Sequence, residues 1–130
     1  FKSVNDRLGH AAGDALLKQV GDSLRTNIRS TDTAARLAGD EFALLMPETG
    51  SEVALVAVKR HRDQLVDLKR AHGWEVTASI GLMTYLVPPP SEESALNDAD
   101  ALMYSAKSQG KNRIIARIEP GENLRRPEHA

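Results

Sequence analysis

The chain has 130 residues, 41% hydrophobic and 27% charged, with a formal net charge of −1 and no cysteine. That size fits one globular domain with its own core and is too short for two. The charge gives no electrostatic reason to expect nucleic acid or an anionic membrane surface, the lack of thiols excludes disulfides and thiolate chemistry, and no apolar run is long enough to cross a bilayer.

The sequence starts at Phe1, without Met, inside what reads as folded sequence, so a fragment is expected. From Gly13 to Arg29, apolar residues at Leu16, Leu17, Val20, Leu24 and Ile28 recur at helical spacing, with Asp14 as an early acid of that helix. Thr33 to Leu37 and Phe42 to Met46 read as two buried strands joined by Ala38-Gly39-Asp40-Glu41, a four-residue hairpin connection. Pro47 ends the second strand. Ser51 to Ala71 is a second amphipathic helix with Val53, Val56, Ala57, Leu65 and Leu68 inward, stopped at His72-Gly73. Val76 to Tyr85 reads as a buried strand, Pro88-Pro89-Pro90 as a break, Ala95 to Gln109 as a third helix closed by Gly110, and Ile114-Ile115 as a short last strand. Leu16, Leu17, Val20, Ile80, Leu82, Leu102, Met103 and Tyr104 are expected in the core, and Trp74 as a loop anchor without a role. The polar end, Gly121 to Ala130, reads as a tail or linker. The order α-β-β-α-β-α-β is one strand short of a βαββαβ-type sheet with packed helices.

Asp40 and Glu41 stand between two apolar strands, where unpaired carboxylates are expensive. As a bare pattern, Gly-Asp-Glu is a common surface turn. The alternative is a divalent-metal corner, with hard oxygen ligands shared with substrate phosphates and Gly39 allowing close approach to the backbone. Other candidates are equally double-edged. Asn5 and Asp14 could cap a helix. Lys107 and Lys111 stand four apart, on one face if the helix continues, and suit a helix C-terminus as well as a phosphate. Arg29-Ser30-Thr31-Asp32 is a frequent surface pattern, Arg60 is one of several helix cations, and Lys2 and His10 read equally as exposed side chains.

Taken together, FKSVNDRLGHAAGDALL, RSTDTAARLAGDEFALLMPET, TASIGL and DALMYSAKSQGKNRI resemble, in order and spacing, the GGDEF-domain family of diguanylate cyclases from Phe1 to Ile115. The resemblance implies an α/β (α+β sandwich) fold: a palm-like βαββαβ sheet with flanking helices, similar to nucleotide cyclases, whose first strand precedes this chain. The domain would occupy residues 1–118, incomplete at its N-terminus, followed by a 119–130 tail or linker.

Such domains condense two GTP into cyclic di-GMP and release pyrophosphate, as a homodimer with Mg²⁺ or Mn²⁺. By resemblance, Asp40 is the catalytic carboxylate that ligates metal and helps deprotonate the attacking 3′-hydroxyl, Glu41 a second metal carboxylate, and Lys2 a cation beside the triphosphate. Asn5, His10 and Asp14 form the guanine side, Gly39 lies against substrate, and Lys107 and Lys111 hold the β- and γ-phosphates. Arg29 and Asp32, with Arg60, match the RxxD site at which cyclic di-GMP inhibits. The first signature glycine is Ala38 here, adding a methyl and penalising positive φ. The family's other metal-binding Asp lies upstream of Phe1, so weak or no turnover is expected from these residues alone. The implied setting is a cytoplasmic domain below an upstream sensory domain, any membrane anchor lying outside this chain, with no nucleic-acid partner. The alternative is a catalytically impaired domain serving as a GTP or cyclic di-GMP receptor.

Overall fold

In the computed structural model the described residues are 9–73 and 76–119. Helix α1 (His10–Thr26) is followed by strands β1 (Thr33–Ala38) and β2 (Glu41–Leu45), helix α2 (Ser51–His72), strand β3 (Ser79–Tyr85), helix α3 (Glu92–Ser108) and strand β4 (Arg113–Glu119). The chain divides into two compact units, Phe1–Thr49 with Val56–Thr77, and Gly50–Leu55 with Ala78–Ala130. Among the described residues the strands pair two by two, β1 with β2 and β3 with β4. The expected Trp74 anchor and the tail from Gly121 lie outside the described residues.

In the first unit, Leu16 of α1 is 2% exposed and packs with Val76, flanked by Ala12, Val20 and Leu65. These positions recur every three to four residues on α1, so one helix face covers the core. The helix starts at His10, after Gly9 at φ 90, three residues before the sequence reading placed it. Asp14 therefore sits beyond the first turn and is no capping residue. At the other end, Arg60 donates from Nη2 to the Asn27 carbonyl at 3.1 Å. A cation there suits the negative end of the helix dipole.

β1 and β2 form an antiparallel hairpin with Thr33 opposite Leu45 and Arg36 opposite Phe42. The register then slips, placing Ala38 opposite Glu41 and leaving Leu37 as an extra residue on β1. That β-bulge shortens the expected four-residue connection to Gly39-Asp40. The strands are also less buried than their apolar composition suggested, β1 being exposed at every position but Ala34. On α2 the buried stripe is Ala54 and Val58, one turn apart. Val53 and Val56 point outward instead.

The second unit holds a βαβ arrangement, with β3 and β4 parallel from Ser79 opposite Arg113 to Tyr85 opposite Glu119, and α3 between them in sequence. Helix α3 starts earlier than its apolar pattern suggests because Ser91 caps it, its Oγ accepting from the Ser94 amide at 3.0 Å. Ala106 is fully buried, whereas Tyr104, expected in the core, is 71% exposed. Leu82 and Thr84 face inward along β3 with the period of two that a strand imposes.

The strand and helix meet at Gly81. A Cβ there would lie 2.5 Å from the Met103 nitrogen, 2.8 Å from the Leu102 Cβ and closer still to the Ala99 carbonyl oxygen. At the strand's end the Tyr85 hydroxyl donates to Asp98 Oδ2 of α3 at 2.5 Å. Burial, with the hydrogen bond to Asp98 second, pushes the phenol up to about 12. Among the described residues no helix is long and apolar enough to cross a membrane.

Candidate functional site

The two corner acids occupy different backbone settings. Asp40 lies in the exposed turn, and Glu41 is the half-buried first residue of β2. Neither side chain has a hydrogen-bond or ion-pair partner among the described residues. The only positive φ in the turn belongs to Gly39, at 51°. Ala38 remains in β1, paired with Glu41, and its methyl meets no conformational penalty. The residue missing from the family signature is thus not the one whose backbone needs glycine.

Two contacts steady this corner. Phe42 packs its ring edge onto α1, with Cε1 3.5 Å from where a Gly21 Cβ would stand. Arg36, from the other strand, donates from Nε to the Gly39 carbonyl at 2.8 Å. Sequence reasoning passed over both residues. Their one visible signal was position: an aromatic directly after the acids and an Arg three residues before the glycine.

His10 and Asp14 lie one turn apart on α1, both exposed. Lys2 and Asn5, the other residues expected near the nucleotide, lie outside the described residues.

The lysine pair proves less symmetrical than its spacing suggests. Lys107 is in the last turn of α3, but the helix ends at Ser108. The amide of Gly110, at φ 117, donates to the Lys107 carbonyl at 3.3 Å, and that of Lys111 to the Ala106 carbonyl at 2.9 Å. This nested pair is a Schellman closure, which satisfies carbonyls the helix leaves unbonded. Lys111 itself is left-handed at φ 64, as is Asn112 at φ 47. The two lysines therefore do not share a helical face. One projects from the helix and the other from the turn that closes it.

At the RxxD position the structure brings Arg29 and Asp32 together directly. Arg29 donates from Nη2 to Oδ1 at 3.1 Å and from Nε to Oδ2 at 3.3 Å, and its backbone amide reaches Oδ2 at 3.2 Å. Nη2 also contacts Thr49 Oγ1, which donates to the Pro47 carbonyl at 2.9 Å. The Arg29 side chain stays 51% exposed while that of Asp32 is 6% exposed. The Arg29 hydrogen bond holds the Asp32 carboxyl below the usual carboxylate range, against the opposing effect of burial. Arg60 is engaged at Asn27.

Next to Arg60, burial, followed by the Arg60 charge, lowers the His61 imidazole from its ordinary value, with Gln64 and Asp32 acting in the opposite direction. His61 Nδ1 and Gln64 Oε1 are buried without a hydrogen-bond partner among the described residues. His61 was not among the sequence candidates. Nothing in its local pattern sets it apart from the other polar residues of α2.

No group of three or more His, Cys, Asp or Glu side chains fit to hold a metal ion occurs among the described residues. The Asp40 and Glu41 carboxylates nonetheless suit Mg²⁺ or Mn²⁺, because such ions are commonly held by one or two carboxylates and completed by substrate phosphates and water.

Residues 1–113 match the family described as "Diguanylate cyclase, GGDEF domain". The bifunctional diguanylate cyclase/cyclic di-GMP phosphodiesterase MucR of Pseudomonas aeruginosa is 42% identical over 116 residues, covering 86% of this chain and 17% of that protein. Diguanylate cyclase A of Treponema denticola is 34% identical over 117 residues, covering 88% of this chain and 32% of that protein. The chain thus spans a third or less of the length of these relatives. The GGDEF domain of DgcB from Caulobacter crescentus, solved with c-di-GMP, superposes with a TM-score of 0.70 at 25% identity, covering 88% of this chain and 70% of that one. Diguanylate cyclase SiaD of Pseudomonas aeruginosa, solved with its activator SiaC, gives 0.73 at 26% identity, covering 89% and 45%. With a family match over residues 1–113 and a mixed α/β fold like that of these structures, the chain belongs to the GGDEF-domain family of diguanylate cyclases.

Proposed function

We propose that this chain is the nucleotide-condensing domain of a diguanylate cyclase, joining two GTP into cyclic di-GMP with release of pyrophosphate. The observation that carries the reading is the Asp40–Glu41 corner, where two carboxylates without a side-chain partner among the described residues sit in a chain of this family.

In this reading Asp40 accepts the proton of the attacking 3′-hydroxyl, and Asp40 and Glu41 together hold Mg²⁺ or Mn²⁺. The bound ion would supply charge neutralisation for the phosphates of an in-line displacement. Gly39, lacking a side chain, lets the nucleotide approach the turn. Asn5, His10 and Asp14 bind the guanine edge, Asp14 accepting from N1 and the 2-amino group, donors that adenine lacks. Lys2 lies along the triphosphate. Lys107 and Lys111 offset the charge of the β- and γ-phosphates and of the departing pyrophosphate. Their different backbone settings suit two separated phosphates better than one. Each chain holds one GTP, so turnover needs two chains facing each other.

Arg29, Asp32 and Arg60 form the site for inhibitory cyclic di-GMP. The paired state of Arg29 and Asp32 is then the ligand-free one. Arg29 has Nη1 and its exposed planar face available for a guanine, while Asp32 stays ionised to accept from it.

The test uses the protein at full length, incubated with GTP and Mg²⁺, with products followed by chromatography and Asp40→Ala as control. Cyclic di-GMP from the wild type and none from the variant is the expected result. A folded, dimeric wild type that makes no product would refute the enzyme reading. It would leave a receptor, to be tested by cyclic di-GMP binding with and without Arg29→Ala.

A further inference from the structure

We propose that Arg36 is a positioning residue for the catalytic corner, acting through the Gly39 carbonyl; the proposal rests on the reading of Asp40 and Glu41 given above. Three features of the hairpin converge on it. The bulge at Leu37 interrupts the ladder between Arg36 and the turn, leaving the single Ala38–Glu41 pair beyond the slip to constrain the backbone at the acids. The acids have no partners among the described residues, so their placement depends on the backbone that carries them. Arg36 Nε bridges that gap, bonding the Gly39 carbonyl at 2.8 Å from the last register position before the slip.

The direction of the bond also matters. Among the described residues Arg36 forms no ion pair with Asp40 or Glu41, although it is close to both in sequence. An Arg paired with those acids would neutralise them and compete with a divalent cation. Bound to the carbonyl, it braces the turn and occupies neither carboxylate. It also pins the peptide immediately before Asp40, whose orientation sets where that side chain starts. Small displacements of a reacting group lower turnover more than binding.

The test separates bracing from charge, because Gln carries a side-chain N–H at the same chain position as the Arg Nε, without the charge. Full-length Arg36→Ala, Arg36→Gln and Arg36→Lys are compared by GTP turnover and by hydrogen exchange of the corner amides. Bracing predicts that Arg36→Ala lowers kcat about tenfold, or ~1.4 kcal/mol, with KM for GTP changed less than about twofold. It further predicts faster exchange confined to residues 38–42, and Arg36→Gln within about threefold of wild type in both measurements.

The proposal is overturned if Arg36→Gln behaves like Arg36→Ala while Arg36→Lys retains activity with unchanged corner exchange, which would mean direct contact with a nucleotide phosphate. It is equally overturned if Arg36→Ala speeds exchange throughout the domain, which would mean general destabilisation. A wild type without cyclase activity would refute the proposed function, yet the exchange pattern would still decide whether Arg36 holds the turn.

Discussion

Replacing Gly81 by Ala adds a single methyl to β3, and the structure allows its consequence to be worked through. The new Cβ would stand 2.5 Å from the Met103 nitrogen and 2.8 Å from the Leu102 Cβ, with the Ala99 carbonyl oxygen nearer still. Two of these three atoms are helix backbone, so no rotamer change relieves the overlap. To restore ordinary van der Waals separation α3 must retreat from β3 by about 1 Å, losing dispersion contact along the interface. Overpacking of this kind costs about 1–3 kcal/mol, and a backbone obstacle places it at the upper end. The smaller unfolded-state entropy of Ala returns about 0.5 kcal/mol. A net loss of about 2.5 kcal/mol corresponds to a fall in Tm of roughly 10 °C for a domain of this size. Thermal unfolding followed by circular dichroism reads the shift directly. Under the proposed phosphate role of Lys107, which rides on α3, a correctly folded fraction should also show a raised KM for GTP. A Gly81→Ala protein melting within about 2 °C of wild type would refute the argument, since strand and helix would then have slack that the geometry denies.

Other consequences follow from single side chains. Gly39→Ala places a Cβ at φ 51° and should destabilise the hairpin by about 1 kcal/mol with a loss of turnover, whereas Ala38→Gly should leave turnover unchanged; equal effects at both positions would contradict the observed turn. In a Tyr104→Phe background the remaining phenol, Tyr85, should ionise at about 12 by ultraviolet titration, and ionisation near the ordinary value of 10 would mean that Asp98 does not hold it. Because that value is raised in the folded state, the associated stability is complete below pH 10 and is lost as pH rises through about 12. His61 titrates in the opposite sense. Its imidazole is lowered, so the unfolded chain takes up the proton first and stability falls as pH drops below 6.5. His61→Leu should flatten that part of a pH series of urea midpoints, and an unchanged slope would exclude His61 as its source.

Local pattern was enough to reveal the elements and their order. Periodicity marked α1, α2 and α3, and the apolar runs around Gly39-Asp40 marked a hairpin, because side-chain period reflects backbone geometry without reference to distant contacts. Element ends were less legible. α1 begins at a glycine without a side-chain cap, and α3 begins at a serine set apart from the apolar pattern. Burial was misjudged where helical phase had to be chosen, as for Val53 and Val56 on α2 and Tyr104 on α3. A helix offers several apolar faces, and only its neighbours select one.

The same boundary runs through the site. Asp40, Glu41 and the RxxD pair were singled out through the resemblance to the family, since a Gly-Asp-Glu turn and an Arg-x-x-Asp spacing are by themselves common surface patterns. That Ala38 lies outside the strained turn position, that Lys111 leaves the helix through a Schellman closure, and that Arg36 reaches back to Gly39 are tertiary facts. They depend on a slip in strand register and on hydrogen bonds that close only when the backbone bends in space. Sequence by itself determined which chemical groups this chain carries and in what order. Folding decided which of them are paired, which are braced and which remain free to react, because those outcomes rest on distances that linear spacing does not encode.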